Sequence, residues 1–325
     1  MTDAFDPKAL RQWWARPSRP KPIVIFGAGS IVGDAHLPAY EKGGFPVTGI
    51  FDPDLEKARK LAEKWGVTAF ASMQEALAVE GAVFDLAIPP SAHVSVLSQL
   101  PEGAAALIQK PMGSDLAGAT EILKVCRARK LKAAVNFQLR FAPMMLALYD
   151  AVDKGWLGEV VDFVRGLLGN PQGVHAKSIG HPNHDVAQTR TAAILDYGER
   201  VRCALSINHD HDFGRKFQAC EFRICGTQGA AYVKLGVNLD YPRGEPDELW
   251  IRPKGGDDWV CVPLEGAWFP DAFLNRMAHL QRFACREDDE LVGSVEDAWH
   301  TMALVEAAYR SSAAPATPLA ARPEV

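Results

Sequence analysis

Two glycines and an acid carry the first piece of chemistry in this sequence. Gly27-Ala28-Gly29-Ser30-Ile31-Val32-Gly33 follows the apolar, β-branched run Ile23-Val24-Ile25-Phe26 and leads into a helical pattern through Ala35, Leu37 and Tyr40. A buried parallel strand that turns through glycines into a helix forms the corner that binds a dinucleotide pyrophosphate. Gly27 lets the chain turn and Gly29 lets the backbone approach a phosphate. The helix start at Ser30, Ile31 and Val32 offers unpaired N–H groups and the positive end of a dipole. The third glycine of the pattern is expected at position 32, where this chain has Val32, and Gly33 comes one place late. On the glycines alone, a strand–helix turn of some other α/β protein stays open. Asp52 shifts that balance. It ends the run Val47-Thr48-Gly49-Ile50-Phe51 roughly twenty residues past the glycines, the spacing expected for a carboxylate on an adenosine ribose. Asp54 is better placed than Asp52 to cap the next helix. Asp52 would repel a 2′-phosphate, which favours NAD, while Lys57 and Arg59 leave NADP open.

Two further clusters place imidazole beside carboxylate: His181, His184 and Asp185 in one loop, and His209, Asp210, His211 and Asp212 past a strand end. Such pairs suit general-base work or metal binding, and the plainer reading is a polar surface loop. A metal site needs three or four converging ligands, so none is assigned here and a metal-assisted or hydrolytic enzyme ranks last.

The elements that must position these residues alternate regularly after an arm, residues 1–20, that packs or frays. A helix over Leu55–Trp65 stops at Gly66, and Ser72 with Glu75 forms a capping box. Strands are predicted over Phe84–Ile88, Ala105–Gln109 and Ala133–Phe137, with helices near His93–Leu100 and over Asp115–Arg129. This βα repetition predicts a parallel sheet covered on both faces, with ligands at the strand C-termini. Gly27, Asp52, the turn Pro89-Pro90, Lys110 and Asn136 all lie at those ends. After Phe141 the pattern changes. A helix opens at Pro143, a hairpin spans Arg190–Tyr197 and Val201–Asn208, and strands follow over Gln218–Ile224, Ala230–Leu235, Glu248–Arg252 and Trp259–Pro263. Two helices, Asp271–Arg286 and Ser294–Ser311, close the chain. The expected division is an arm (1–20), a Rossmann NAD(P)-binding domain (21–141) and an α+β domain with a largely antiparallel open sheet (142–325).

Composition bounds the partners. Of 325 residues 48% are hydrophobic and 23% charged, an ordinary globular balance, and the net charge of −5 argues against nucleic acid. No apolar run reaches membrane-spanning length and the N-terminus has no signal-peptide core. Six scattered cysteines without a C-x-x-C pair read as reduced, mostly buried thiols of a cytoplasmic protein.

Taken together the landmarks resemble the Gfo/Idh/MocA family, the glucose–fructose oxidoreductase and inositol dehydrogenase type. The likeness runs from Pro22 to about Ser312. It rests on Gly27-Ala28-Gly29-Ser30-Ile31 with His36-Leu37-Pro38-Ala39, Pro89-Pro90 with His93, Gln109-Lys110-Pro111, the stretch Val135 to Pro143, and Gly226-Thr227-Gln228-Gly229. The resemblance implies hydride transfer between nicotinamide and a hydroxyl or keto group of a sugar, polyol or similar molecule. Lys110 then matches the lysine of the Glu-Lys-Pro motif and anchors the reacting oxygen, with Gln109 in the place of the glutamate. His93, after the proline turn, is read as lining the cofactor rather than doing chemistry. Asn136 and Arg140 could hold substrate oxygens or bond within their own junction, and His184 and His209 are further substrate-side candidates. The resemblance also implies a homodimer or homotetramer built through the open face of the second sheet. One departure stands out. The Asp-x-x-x-His signature that supplies the family's acid/base histidine is absent, and Gly158 to Asp162 passes straight into Phe163 to Pro171, so the second domain reads as shortened by a few dozen residues. The alternative to an enzyme is therefore a nucleotide-binding but catalytically impaired sensor or subunit.

Overall fold

The computed structural model describes residues 4–162, 165–180, 188–209, 214–240 and 244–317. Its first sheet holds β1 (Ile23–Phe26), β2 (Val47–Phe51), β3 (Thr68–Ala69), β4 (Val83–Leu86), β5 (Ala105–Ile108) and β6 (Lys132–Val135), in the order β3-β2-β1-β4-β5-β6. Every ladder in it is parallel. β1, β4 and β5 are buried along their whole length, which explains their almost unbroken apolar runs. The strand order reverses between β1 and β4, so a crevice opens there at the strand C-termini.

Helices α1 (Leu37–Gly43), α2 (Leu55–Trp65), α3 (Met73–Leu77), α4 (His93–Leu97) and α5 (Leu116–Ala128) flank this sheet. The caps fall where the residues dictate. The Asp54 carboxylate accepts the Lys57 N–H at the start of α2, and Gly66 ends it at φ 64°. Ser72 caps α3, and the Glu75 side chain reaches back to the Ala71 N–H. Ahead of α1, Val32–His36 forms a π-helical turn. Such a turn holds one residue more than an α-helical one, which is why the third glycine comes a place late. A Cβ at Gly33 would lie 3.2 Å from Leu61 of α2, so this glycine permits the close packing usually assigned to the third position.

The second half contributes α6 (Pro143–Asp153), β7 (Val160–Asp162), α7 (Arg165–Leu168), β8 (Gly173–Ile179), β9 (Arg190–Asp196), β10 (Arg202–Asn208), β11 (Glu221–Gly226), β12 (Gly229–Lys234), β13 (Glu248–Pro253), β14 (Val260–Cys261), α8 (Asp271–Ala284) and α9 (Val295–Ala313). Its strands form one sheet in the order β14-β13-β12-β11-β7-β10-β9-β8, antiparallel except where β7 meets β10. On one face Met144, Leu148 and Ala151 of α6 pack with Ile224, Val233 and Ile251. On the other face Ile179 and Ile194 stand about half exposed, at 47% and 50%. The edge strand β8 is blunted by the end of α9, where the Ser311 and Ser312 hydroxyls accept the N–H groups of Ala176 and Ser178.

The two halves share their cores. Phe273, Leu274 and Met277 of α8 pack with Ile23, Ile25 and Leu107, and Val295, Ala298 and Met302 of α9 pack with Phe84 and Val135. From residue 4 onward the N-terminal arm packs. The Gln12 amide donates to the Pro263 carbonyl and accepts the Glu265 N–H. The Trp14 N–H donates to Asn275, and its indole donates to Asp288 and lies 4.4 Å from His279. Burial of the thiols is less general than composition suggests: Cys126 and Cys203 are buried, while Cys225 and Cys261 are exposed.

Candidate active site

The glycine corner is open where a phosphate would lie. Gly27 sits at φ 104° and donates its N–H to the Phe51 carbonyl at 2.7 Å; a Cβ there would run into the Ala87 carbonyl. Gly29 is exposed, and a Cβ on it would meet nothing within 4 Å, so the backbone faces free space. Among the described residues the N–H groups of Gly29, Ser30 and Ile31 have no acceptor. Val32 does not join them. Its side chain is wholly buried in the core and its N–H donates to the Gly29 carbonyl, because the π turn rotates it inward. Asp52 is half-buried and stands across from this turn. One carboxylate oxygen accepts the Ala28 N–H and the other the Asp54 N–H, both at 2.8 Å. Each oxygen retains a lone pair for a ribose hydroxyl. Lys57 pairs with Asp54 at 3.1 Å rather than with Asp52. A donor set for a pyrophosphate thus faces an acceptor set for a ribose, which fits a dinucleotide.

Lys110 lies past the end of β5, its side chain exposed, with no hydrogen bond or ion pair to its ammonium among the described residues. Pro89 is exposed and Pro90 half-buried on the turn after β4. His93 and Asn136, close to the neighbouring strand ends, are both 0% exposed. Among the described residues neither ring nitrogen of His93 and neither amide atom of Asn136 has a hydrogen-bond partner. Burial pushes the His93 imidazole down to about 4, with the Ile88 backbone opposing weakly and short of hydrogen-bond geometry.

The remaining candidates separate. Arg140 donates to Asp297 at 2.6 Å and lies over the Phe137 ring, so it is engaged in its own junction. Arg165, which sequence reasoning did not single out, grips the same Asp297 at 2.7 Å and bonds Thr301 and Asn170. His209 sits exposed at the far end of β10, its N–H on the Thr189 carbonyl. His181, His184, Asp185, Asp210, His211 and Asp212 lie outside the described residues. No three His, Cys, Asp or Glu side chains converge as metal ligands among the described residues. β7 ends at Asp162, and the one-turn helix α7 covers Arg165–Leu168.

Behind Lys110 runs a buried line that sequence reasoning also missed. Its signal was present: Asp85 is an acid inside the apolar strand Val83-Phe84-Asp85-Leu86, and a carboxylate there requires partners. It accepts from His36 Nδ1 at 2.6 Å and from the Tyr40 hydroxyl at 2.7 Å. His36 and Tyr40 are four apart on one helical face.

A doubly wound parallel sheet with this glycine corner and carboxylate is a dinucleotide-binding domain, here joined to an open-faced, mostly antiparallel sheet. The profile of the oxidoreductase family with an NAD-binding Rossmann fold, Gfo/Idh/MocA, matches residues 21–137, the first-sheet domain of this chain. An inositol 2-dehydrogenase from Leifsonia xyli is 33% identical over 156 residues, 46% of this chain and 45% of that enzyme. The chain spans about half the length of the inositol dehydrogenases it matches. The dTDP-3,4-didehydro-2,6-dideoxy-alpha-D-glucose 3-reductase of Actinomadura kijaniata is 26% identical over 304 residues, 86% of each chain. An oxidoreductase from Agrobacterium radiobacter, solved with NAD+, L-tartaric acid and magnesium, shares the fold at TM-score 0.73 and 18% identity, covering 91% of this chain and 97% of that one. No helix among the described residues is long and apolar enough to cross a membrane.

Proposed function

We propose that the chain is an NAD(P)-dependent oxidoreductase acting on a hydroxyl or keto group of a sugar, polyol or similar small molecule. The observation that carries this reading is the open donor set of Gly29, Ser30 and Ile31 facing the Asp52 carboxylate, with the Lys110 ammonium, unpaired among the described residues, at the strand ends of the same sheet. The relatives' names, an inositol dehydrogenase and a nucleotide-sugar reductase, support the substrate class. When bound, the nicotinamide supplies or accepts the hydride. The chain's own residues do the rest. Gly29 to Ile31 hold the pyrophosphate, Asp52 holds the ribose and disfavours a 2′-phosphate, and Lys110 donates a charged hydrogen bond to the reacting oxygen.

Titrating the purified chain with NADH and then NADPH tests this, reading energy transfer from tryptophan to the nicotinamide. Saturable binding, tighter for NADH, is expected. Failure to bind either would remove the oxidoreductase reading, whereas binding without turnover across a panel of polyols and sugars would favour the sensor or subunit alternative.

Assembly and location belong to the same proposal. Ile179 and Ile194 share the open face of the second sheet with Ala192 and Ala204, interleaved with Lys177, Arg190 and Ser206, and their exposed apolar surface is best covered by a second copy, giving a homodimer or homotetramer. Sedimentation velocity is expected to show a dimer or larger species that Ile194→Glu reduces to monomer; a wild-type monomer would refute it. A cytoplasmic setting fits the six free thiols.

A further inference from the structure

The side chain next to Lys110 is wired to the protein interior. The Gln109 carbonyl oxygen accepts the Lys110 backbone N–H at 2.9 Å, and the Gln109 amide nitrogen lies 3.3 Å from His36 Nε2. The first bond orients the amide: its oxygen is committed to Lys110, so its NH2 faces His36, and an NH2 group can only donate. His36 Nε2 therefore accepts. Its proton then resides on Nδ1, from which it is donated to Asp85. The Tyr40 hydroxyl donates to the same carboxylate oxygen. Each bond in the line from Lys110 to Asp85 has a single direction, and His36 and Asp85 are 0% and 1% exposed.

We propose that Gln109, His36 and Asp85 are positioning residues for Lys110, and that Gln109 locks His36 as the neutral Nδ1–H tautomer and closes this line to protons. The proposal rests on the reading of Lys110 as the group that holds the reacting oxygen. A glutamate at position 109, which the family resemblance implies, would present a carboxylate to His36 Nε2. That carboxylate would draw a proton onto the ring and create an imidazolium between two acids. An amide neither takes nor releases a proton at working pH. A proton that leaves the substrate near Lys110 therefore departs on the crevice side and not toward Asp85. The other groups facing His36 agree with a neutral ring. Tyr40 keeps its proton, since burial and Asp85 hold its phenol well above the ordinary range. Phe273 of α8 covers the imidazole at 5.0 Å, and the buried Arg276 guanidinium of the same helix acts on Tyr40.

The test uses the full chain labelled with 15N-histidine and 15N backbone. Wild-type His36 should show a proton on Nδ1 and none on Nε2. In Gln109→Glu both ring nitrogens should carry protons. In Gln109→Leu the Lys110 amide should exchange about tenfold faster, and kcat should fall about tenfold or more with KM for NADH within about twofold. An Nε2–H or charged His36 in the wild type, or a Lys110 amide unaffected by Gln109→Leu, overturns the proposal. The spectra need no turnover, so a wild type that fails to bind NADH removes the enzymatic reading while the tautomer result still stands or falls separately.

Discussion

Lys110→Met is expected to lower turnover by about 10²–10⁴-fold while leaving NADH affinity within about threefold. The size follows from what the ammonium does. It sits just past the end of β5, exposed, with no carboxylate paired to it among the described residues. Oxidising a carbinol loads negative charge onto the oxygen as its proton leaves, before the departing hydride disperses it, and reducing a ketone loads it as the hydride arrives. A fixed cation at that oxygen stabilises the transition state more than the ground state, which is the condition for an effect on kcat rather than on binding. Methionine keeps the length and apolar stem and removes only the charge and its donors. Lys110→Arg should rescue poorly, because a planar guanidinium cannot occupy the position of a compact ammonium. Steady-state kinetics beside the fluorescence titration separates the two effects. Wild-type turnover in Lys110→Met would make Lys110 an ordinary solvent-facing loop residue and leave the reacting oxygen without a partner.

Much of the fold was legible because it rests on local rules. The parallel strands announced themselves as apolar runs, and Asp54, Gly66, Ser72 and Ser294 mark helix ends by chemistry that depends only on nearby backbone. Asp52 was legible as a carboxylate at a strand end, and the structure adds that it also fastens the glycine turn through Ala28. The π turn at Val32–His36 was not legible, since nothing local distinguishes a six-residue turn from an α-helical one; the displaced Gly33 was its only trace. β8 was missed because Gly173–Ile179 carries a histidine, a lysine and a serine and is stabilised as an edge strand by β9 and by the serines ending α9, more than a hundred residues away. The Asp297 clamp of Arg140 and Arg165, and the line from Asp85 to Gln109, likewise join residues far apart in sequence. Buried polar contacts of this kind are specified by tertiary packing, so residue type alone points to a requirement without naming the partner. The arm is the same case: Gln12 and Trp14 find partners beyond position 260.

Stability is expected to fall by about 4 kcal/mol between pH 7 and pH 5, about 2 kcal/mol for each of two buried imidazoles. His93 and His279 are 0% and 1% exposed, and both are pushed from an ordinary value of 6.5 down to about 4. Burial is the main cause in each, and for His279 the neighbouring Arg276 adds to it. In the unfolded chain both rings take up a proton below pH 6.5; in the folded protein they stay neutral until about pH 4. The unfolded state therefore binds more protons in that window, and stability is lost as the pH drops through it. Below about 4 the loss levels at about 3 kcal/mol per ring. The geometry explains why the rings resist charging. His279 Nε2 accepts the Val292 N–H at 2.9 Å, and a proton there would break that bond. Neither His93 ring nitrogen is hydrogen-bonded among the described residues, and the Ile88 backbone only weakly favours a charged ring. Urea titrations at pH 7 and pH 5 measure the change. Asp247, whose carboxyl burial raises, works in the opposite sense, so the decisive comparison is between variants. His93→Leu removes one titrating ring and two unpartnered buried nitrogens, so it should remove about half of the pH dependence and also be more stable than wild type at pH 7. A slope unchanged by His93→Leu would mean that the ring is already protonated or reaches solvent in the folded protein. If the same variant binds NADH as wild type does, His93 acts only through packing. If binding is lost while stability rises, the unpartnered imidazole is held for the cofactor at the expense of stability, as strained functional groups commonly are.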